Sequence, residues 1–113
     1  MDDRDHELLK LILDSARVAL GYANRSGTDW HQDGMTVDAI CKRVEEVGEL
    51  SKRLSPEIIV ALPEIDWRRA AGFRDFLVRE YVEVDLRILV EVIDRDLPEL
   101  VRVVGSRLSA GGS

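Results

Sequence analysis

Between Trp67 and Arg87 the chain carries five arginines (Arg68, Arg69, Arg74, Arg79 and Arg87) against four acids (Asp75, Glu80, Glu83 and Asp85). That segment is slightly positive, in a chain whose 16 basic and 22 acidic side chains leave −6 overall. A protein of that sign cannot coat a polyanion over its whole surface, so any phosphate chemistry must be local, and this stretch is where a polyanion would be tolerated. Within it Arg74 and Arg79 stand five apart, with Asp75 beside the first and Tyr81 two beyond the second. A guanidinium stays protonated to above about pH 12, so either arginine can hold a phosphate but neither can take a proton near neutral pH. Imidazole suits that second task, and the chain has two, His6 and His31. His6 reads as a solvated first-turn residue. Arg25 and His31 have five residues between them but flank a glycine-containing loop. With no HExxH, CxxC or glycine-rich phosphate loop, neither a metal enzyme nor a nucleotide-binding subunit is supported, and no metal or cofactor is expected.

The elements that must position these residues are helical. Leu8, Leu9, Leu11, Ile12, Ala16, Ala19, Leu20 and Ala23 recur at three- and four-residue spacings and predict a first helix over about 3–24. A turn-rich run, NRSGTD, follows at 24–29. Thr36 can cap a second helix that carries Val37, Ile40, Cys41, Val44, Val47 and Leu50 to about Leu54. Ser55 and Pro56 mark an N-cap and first helical position for a short helix to about 61, which Pro63 ends. Asp66 can cap a helix from Trp67 to about Tyr81, and Asp85 another through Leu86, Leu89, Val90 and Ile93. The β-branched Val82 and Val84 invite a strand, but the cap at Asp85 argues for a helix start. Pro98 requires a kink or a restart before a last segment ending near Leu108. Gly48 and Gly72 lie inside predicted helices, where glycine costs about 1 kcal/mol relative to alanine; both point to close helix contact. The expectation is an all-α, four-to-five-helix up-and-down bundle over 1–108, with 109–113 a flexible tail.

Two longer stretches carry a resemblance. ICKRVEEVGELSKRLSPE at 40–57 resembles the HepT-like pattern of a helix with an I-G-E-A-type core followed by L-S-x-E. PEIDWRRAAGFRDFLVREY at 63–81 resembles that family's P-x-I-x-W-x-x-x-x-G-x-R-N-x-L-x-H-x-Y stretch, followed by Val84-Asp85 and by Asp96-Leu97-Pro98. On these residues the chain is identified as a member of the HEPN superfamily, similar to the HepT-like toxins of bacterial MntA/HepT-type (type VII-like) toxin–antitoxin pairs. The resemblance implies a HEPN-like bundle and metal-independent endoribonuclease activity at a dimer interface. It further implies a cognate MntA-like nucleotidyltransferase antitoxin that neutralises the toxin by transferring AMP to Tyr81. The motif arginine is Arg74, and Asp75 stands where asparagine is commoner. Arg79 stands where the family has its catalytic histidine. Since loss of a general acid–base group typically costs roughly 100- to 10,000-fold, impaired cleavage is expected. The alternative is a catalytically inactive subunit that dimerises and binds RNA or a partner.

On one continuous helix Arg74 and Tyr81 would share a face, with Arg79 about 140° round from Arg74. Without the family pattern, Arg74 would simply pair with Glu46 or Glu49 on the preceding helix, and Tyr81 would be a half-buried amphipathic residue. Cys41 sits on an apolar face and reads as inert core. A lone cysteine and the lack of a signal-like or membrane-length apolar run place the expectation in the cytoplasm, with no membrane partner. RNA and a second copy of the chain are the other expected partners; a bundle this small commonly completes its core by self-association.

Overall fold

A computed structural model describes the backbone of residues 1–79 and 83–111 and the side chains of 1–75 and 85–110. Among the described residues the fold is all-α apart from one two-residue pairing. Helix α1 (Asp3–Ser26) begins at Asp2, whose carboxylate accepts from the Asp5 amide, and ends at Gly27, where φ of 83° takes the chain out of the helix. A single 3-10 turn (Trp30–Gln32) leads to α2 (Gly34–Ser51). Thr36 is not the cap expected there. Asp33 accepts from the Met35 amide, and Thr36 supports it by donating its hydroxyl to Asp33 Oδ2 from inside the first turn.

Cross-contacts fix the direction of the first pair: Ser55 bonds Asp5, Ser15 bonds Glu46, and Ser26 bonds Thr36, so α1 and α2 run antiparallel. Between them lie Leu9, Ile12, Ala16, Ala19, Ile40, Val44 and Val47, all fully buried. Their helical spacing on both helices gives matching apolar stripes, which is what drives the pairing. Helix α3 (Pro56–Ala61) is capped by Ser55 with Pro56 in the first turn, and α4 (Trp67–Ala71) by Asp66, as expected. The Trp67 indole donates to the Leu62 carbonyl, 3.1 Å away, and ties α4 to the end of the preceding turn.

The helix expected from 67 to 81 is interrupted. Gly72 closes α4 by donating to the Arg68 and Arg69 carbonyls, and α5 (Phe73–Leu77) follows. Gly72 is thus a junction, whereas Gly48 meets the expectation of a close contact: a Cβ added there would lie 3.1 Å from the Ala70 carbonyl oxygen. Beyond Leu77 the backbone forms β1 (Val78–Arg79) and β2 (Glu83–Val84), antiparallel with Val78 opposite Val84 and Arg79 opposite Glu83. Val84, one of the two valines that invite a strand, does adopt extended structure, and Val82 lies outside the described residues.

Asp85 caps α6 (Leu86–Glu91), as expected, and the helical path continues to Gly111. Pro98 neither breaks nor restarts it. A π-turn at Val92–Asp96, in which the Leu97 amide bonds the Val92 carbonyl, widens the coil just before α7 (Leu97–Gly111), and Pro98 enters as that helix's second residue. α7 lies antiparallel to α1, with Gly105 beside Arg17, and its Leu97, Leu100 and Val104 complete the core. It runs three residues past the expected end at Leu108.

Candidate functional site

Phe73 positions the site. It is 2% exposed and packs against Gly48 of α2, so the next residue, Arg74, must emerge from the core at the α5 surface. There its exposed side chain lines a cleft of about 570 Å³ that also draws on α1 and α2. The α1 wall is Leu11, Asp14, Ser15 and Val18, and α2 adds five acids and bases (Lys42, Arg43, Glu45, Glu46 and Glu49) together with Leu50, with Arg53 just beyond its end. Four cations (Lys42, Arg43, Arg53 and Arg74) balance four carboxylates (Asp14, Glu45, Glu46 and Glu49) around an apolar strip.

The pairing of Arg74 with Glu46 or Glu49 is not what is found. Glu46 Oε2 accepts from Arg43 Nη1 at 3.0 Å and from Ser15 Oγ at 3.1 Å, while Glu49 faces Lys52 at 3.4 Å. Among the described residues no ion pair or hydrogen bond engages the Arg74 side chain, so its donors face the cleft. Hydrogen bonds to Glu46 first, and to Tyr22 second, hold Arg43 above its usual guanidinium range. Asp75 is exposed on α5 next to Arg74.

Arg79 does not lie on the same helix as Arg74: α5 ends at Leu77, and the Arg79 backbone pairs with Glu83. The expected 140° relation therefore does not apply. The Arg79 side chain and the whole of Tyr81 lie outside the described residues. The two histidines stand elsewhere. His31 packs edge-on to Trp30 with ring centroids 5.9 Å apart, and Arg25 lies over the Tyr22 ring at 5.4 Å, so these two residues engage different partners. His6 lines a shallow surface hollow with Lys10 and Arg17.

Cys41 is buried, and its thiol is pushed up to about 11 by burial first, then by the nearby charges of Glu45 and Asp38. That suits inert core. Among the described residues no three His, Cys, Asp or Glu side chains gather as a metal site, and no helix is long and apolar enough to cross a membrane. Sequence reasoning missed the Ser15–Glu46–Arg43 group. Its local traces are a serine in the apolar stripe of α1 and the three-residue spacing of Arg43 and Glu46 on α2.

Comparison with known proteins agrees with the family resemblance. A family profile described as "Ribonuclease HepT-like" matches residues 12–106. A gamma-glutamylcyclotransferase and presumed RNase of Methanocaldococcus jannaschii is 33% identical over 93 residues, which is 81% of this chain and 42% of that protein. The probable ribonuclease HepT of Thermococcus cleftensis is 36% identical over 72 residues, 64% of this chain and 66% of that one. A presumed RNase of Caldanaerobacter subterraneus subsp. tengcongensis is 34% identical over 76 residues, covering 67% and 68%. The chain thus spans less than half of the first relative and about two thirds of the other two. No solved structure gives a significant match. With the profile covering most of its length, and the cleft arginine falling within the matched residues, the chain belongs to the HepT-like ribonuclease family.

Proposed function

We propose that this protein is the toxin half of an MntA/HepT-type toxin–antitoxin pair, acting on RNA in the cytoplasm without a metal, and that Arg79 slows its cleavage. The observation that carries this reading is Arg74: exposed, unpaired among the described residues, and turned to a cleft large enough for a nucleotide. In such cleavage the 2′-oxygen attacks the adjacent phosphorus and gives its proton to a base, which is solvent water where no imidazole stands, and the 5′-oxygen leaves as the P–O bond breaks, taking up a proton from water. Arg74 offsets charge growing on the phosphoryl oxygens, and Asp75 orients its neighbour. Arg79 adds a second cation to the phosphate but takes no proton. A second copy closes over the groove from outside, and an MntA-like nucleotidyltransferase silences the toxin by moving AMP from ATP onto the Tyr81 hydroxyl, with pyrophosphate leaving.

The test compares the native chain, Arg79→His and Arg74→Ala on single-stranded RNA with a chelator present, alongside growth of cells expressing each. Restoring imidazole should raise cleavage roughly 100- to 10,000-fold and cause growth arrest, while Arg74→Ala should abolish it in either background. A second reading, a silent binding subunit, is favoured by the absence of any histidine among the described residues lining the cleft. It predicts that Arg79→His is as inert as the native chain.

A further inference from the structure

The Glu46 carboxylate is held from one side only. Ser15 Oγ and Arg43 Nη1 both donate to Oε2, at 3.1 and 3.0 Å, while among the described residues nothing donates to Oε1. Ser15 is 8% exposed and Glu46 is half-buried on the cleft wall, so two donors on one oxygen fix the carboxylate's orientation and leave an acceptor free in the cavity. Beside it is apolar surface that a monomer does not need to expose: Leu11 at 49% and Val18 at 36%, with Leu50 between the helices. Arg74 lines the same cavity from α5. A cation for a phosphate, an apolar strip for a ring and a fixed acceptor for an N–H together match the parts of one nucleotide.

We infer that this cleft seats one RNA nucleotide, with its phosphate at Arg74, its base against Leu11, Val18 and Leu50, and its amino group donating to Glu46 Oε1. A fixed carboxylate accepts and cannot donate, so it favours a base that presents an amino group at its pairing edge. Cytosine, whose N4 is a donor, is preferred over uracil, whose O4 at the same place is an acceptor and meets the carboxylate in repulsion. Asp14, Glu45 and Glu49 also line the cleft and are offset in charge by Lys42, Arg53 and Arg74. The inference rests on the reading that Arg74 contacts RNA phosphate, and it assigns Glu46 as a specificity-determining residue.

The experiment is equilibrium binding of fluorescein-labelled oligocytidine and oligouridine octamers to the full native chain, to Glu46→Gln and to Arg74→Ala. The native chain should bind the cytidine octamer about five- to tenfold more tightly, a single charge-assisted contact being at the low end of base readout. Glu46→Gln, whose amide can donate to O4, should bring the ratio near one while raising overall affinity through loss of a negative charge. Arg74→Ala should weaken both octamers alike and leave the ratio unchanged. A native ratio near one, or a ratio that survives Glu46→Gln, overturns the assignment of Glu46 even if Arg74→Ala weakens binding. Equal binding by native and Arg74→Ala proteins overturns the phosphate reading and this inference with it. Should Glu46→Gln fail to fold, Glu46→Asp, which keeps the charge but withdraws the carboxylate by one methylene, must also lower the ratio.

Discussion

Gly48 allows one chemical change to be made in two surroundings. Replacing glycine by alanine inside a helix removes backbone freedom from the unfolded chain and favours the helix by about 1 kcal/mol. In α1, Gly21 has nothing within 4 Å of a built Cβ, so Gly21→Ala should realise that gain. In α2, the new methyl of Gly48→Ala would sit 3.1 Å from the Ala70 carbonyl oxygen, 3.6 Å from Phe73 Cβ and 3.7 Å from the Ala71 carbonyl oxygen. The first distance is inside ordinary contact, which is about 3.5 Å or more between non-bonded heavy atoms. Nor can the obstructing atom easily withdraw: it is backbone, in a helix tied down by the Asp66 cap, the Trp67–Leu62 bond and the Arg69–Asp96 pair. Overpacking of this kind costs about 1–3 kcal/mol, so the net for Gly48→Ala lies between about zero and a loss of 2 kcal/mol. Because the helix gain is common to both variants, their difference isolates the contact. At roughly 4 °C per kcal/mol for a chain of this size, Gly48→Ala should melt about 4–12 °C below Gly21→Ala. Thermal melts and urea titrations of the two variants beside the parent supply the measurement. If Gly48→Ala were stabilised as much as Gly21→Ala, α2 would not pack against α4 at this closeness, and the placement of Phe73 and Arg74 would lose its support.

Three further outcomes follow from other contacts. Asp5 is 3% exposed and accepts from both the amide and the hydroxyl of Ser55, so Asp5→Ala leaves two donors without their anion; urea unfolding should show a loss of about 2–4 kcal/mol, and a loss below 1 kcal/mol would contradict the contact. Arg69 donates from Nε to Asp96 Oδ2 at 2.9 Å, with Nη2 in ion-pair contact with the same oxygen at 2.9 Å, and joins α4 to the π-turn; Arg69→Met should cost about 1–2 kcal/mol, an effect that shrinks in concentrated salt if the pair is responsible. Cys41 has a folded pKa of about 11 against 9.0 for a free thiol, so the fold favours the protonated form; stability should hold below pH 9 and fall as pH rises from 9 to 11. Replacing Cys41 by alanine should remove that decline, and iodoacetamide at pH 8 should label the native chain far more slowly than the unfolded one.

Much of the fold could be read locally because its boundaries are set by local chemistry. Ser55 with Pro56, Asp66 and Asp85 each cap the helix assigned to them, since a side-chain acceptor two or three residues before an amide needs no tertiary partner. Where two acceptors compete, the choice is not local: Asp33 and Thr36 both suit the start of α2, and they bond each other. The break at Gly72 was hidden because Ala70, Ala71, Phe73 and Leu77 keep helical spacing across it. For the site, Arg74 was legible through its motif, but its surroundings were not. Ser15 and Glu46 are 31 residues apart, and their meeting depends on the register of α1 against α2. The Arg43–Glu46 pair, by contrast, is a three-residue spacing within α2, and with Glu46 so engaged Arg74 is left to the cleft.

The π-turn ahead of Pro98 has a consequence for how such a chain can change length. A turn closed by a bond from Leu97 to Val92 holds one residue more than an α-turn of the same rise. Deleting one residue from 92–96 could therefore convert it to plain α-helix while leaving Leu97, Leu100 and Val104 in phase with α1, provided the proline ring that the wider turn accommodates is also replaced. A one-residue gap within 92–96, paired with loss of the proline, is the substitution pattern this geometry permits. A gap anywhere in 99–108 would rotate every later apolar side chain by about 100° away from the core.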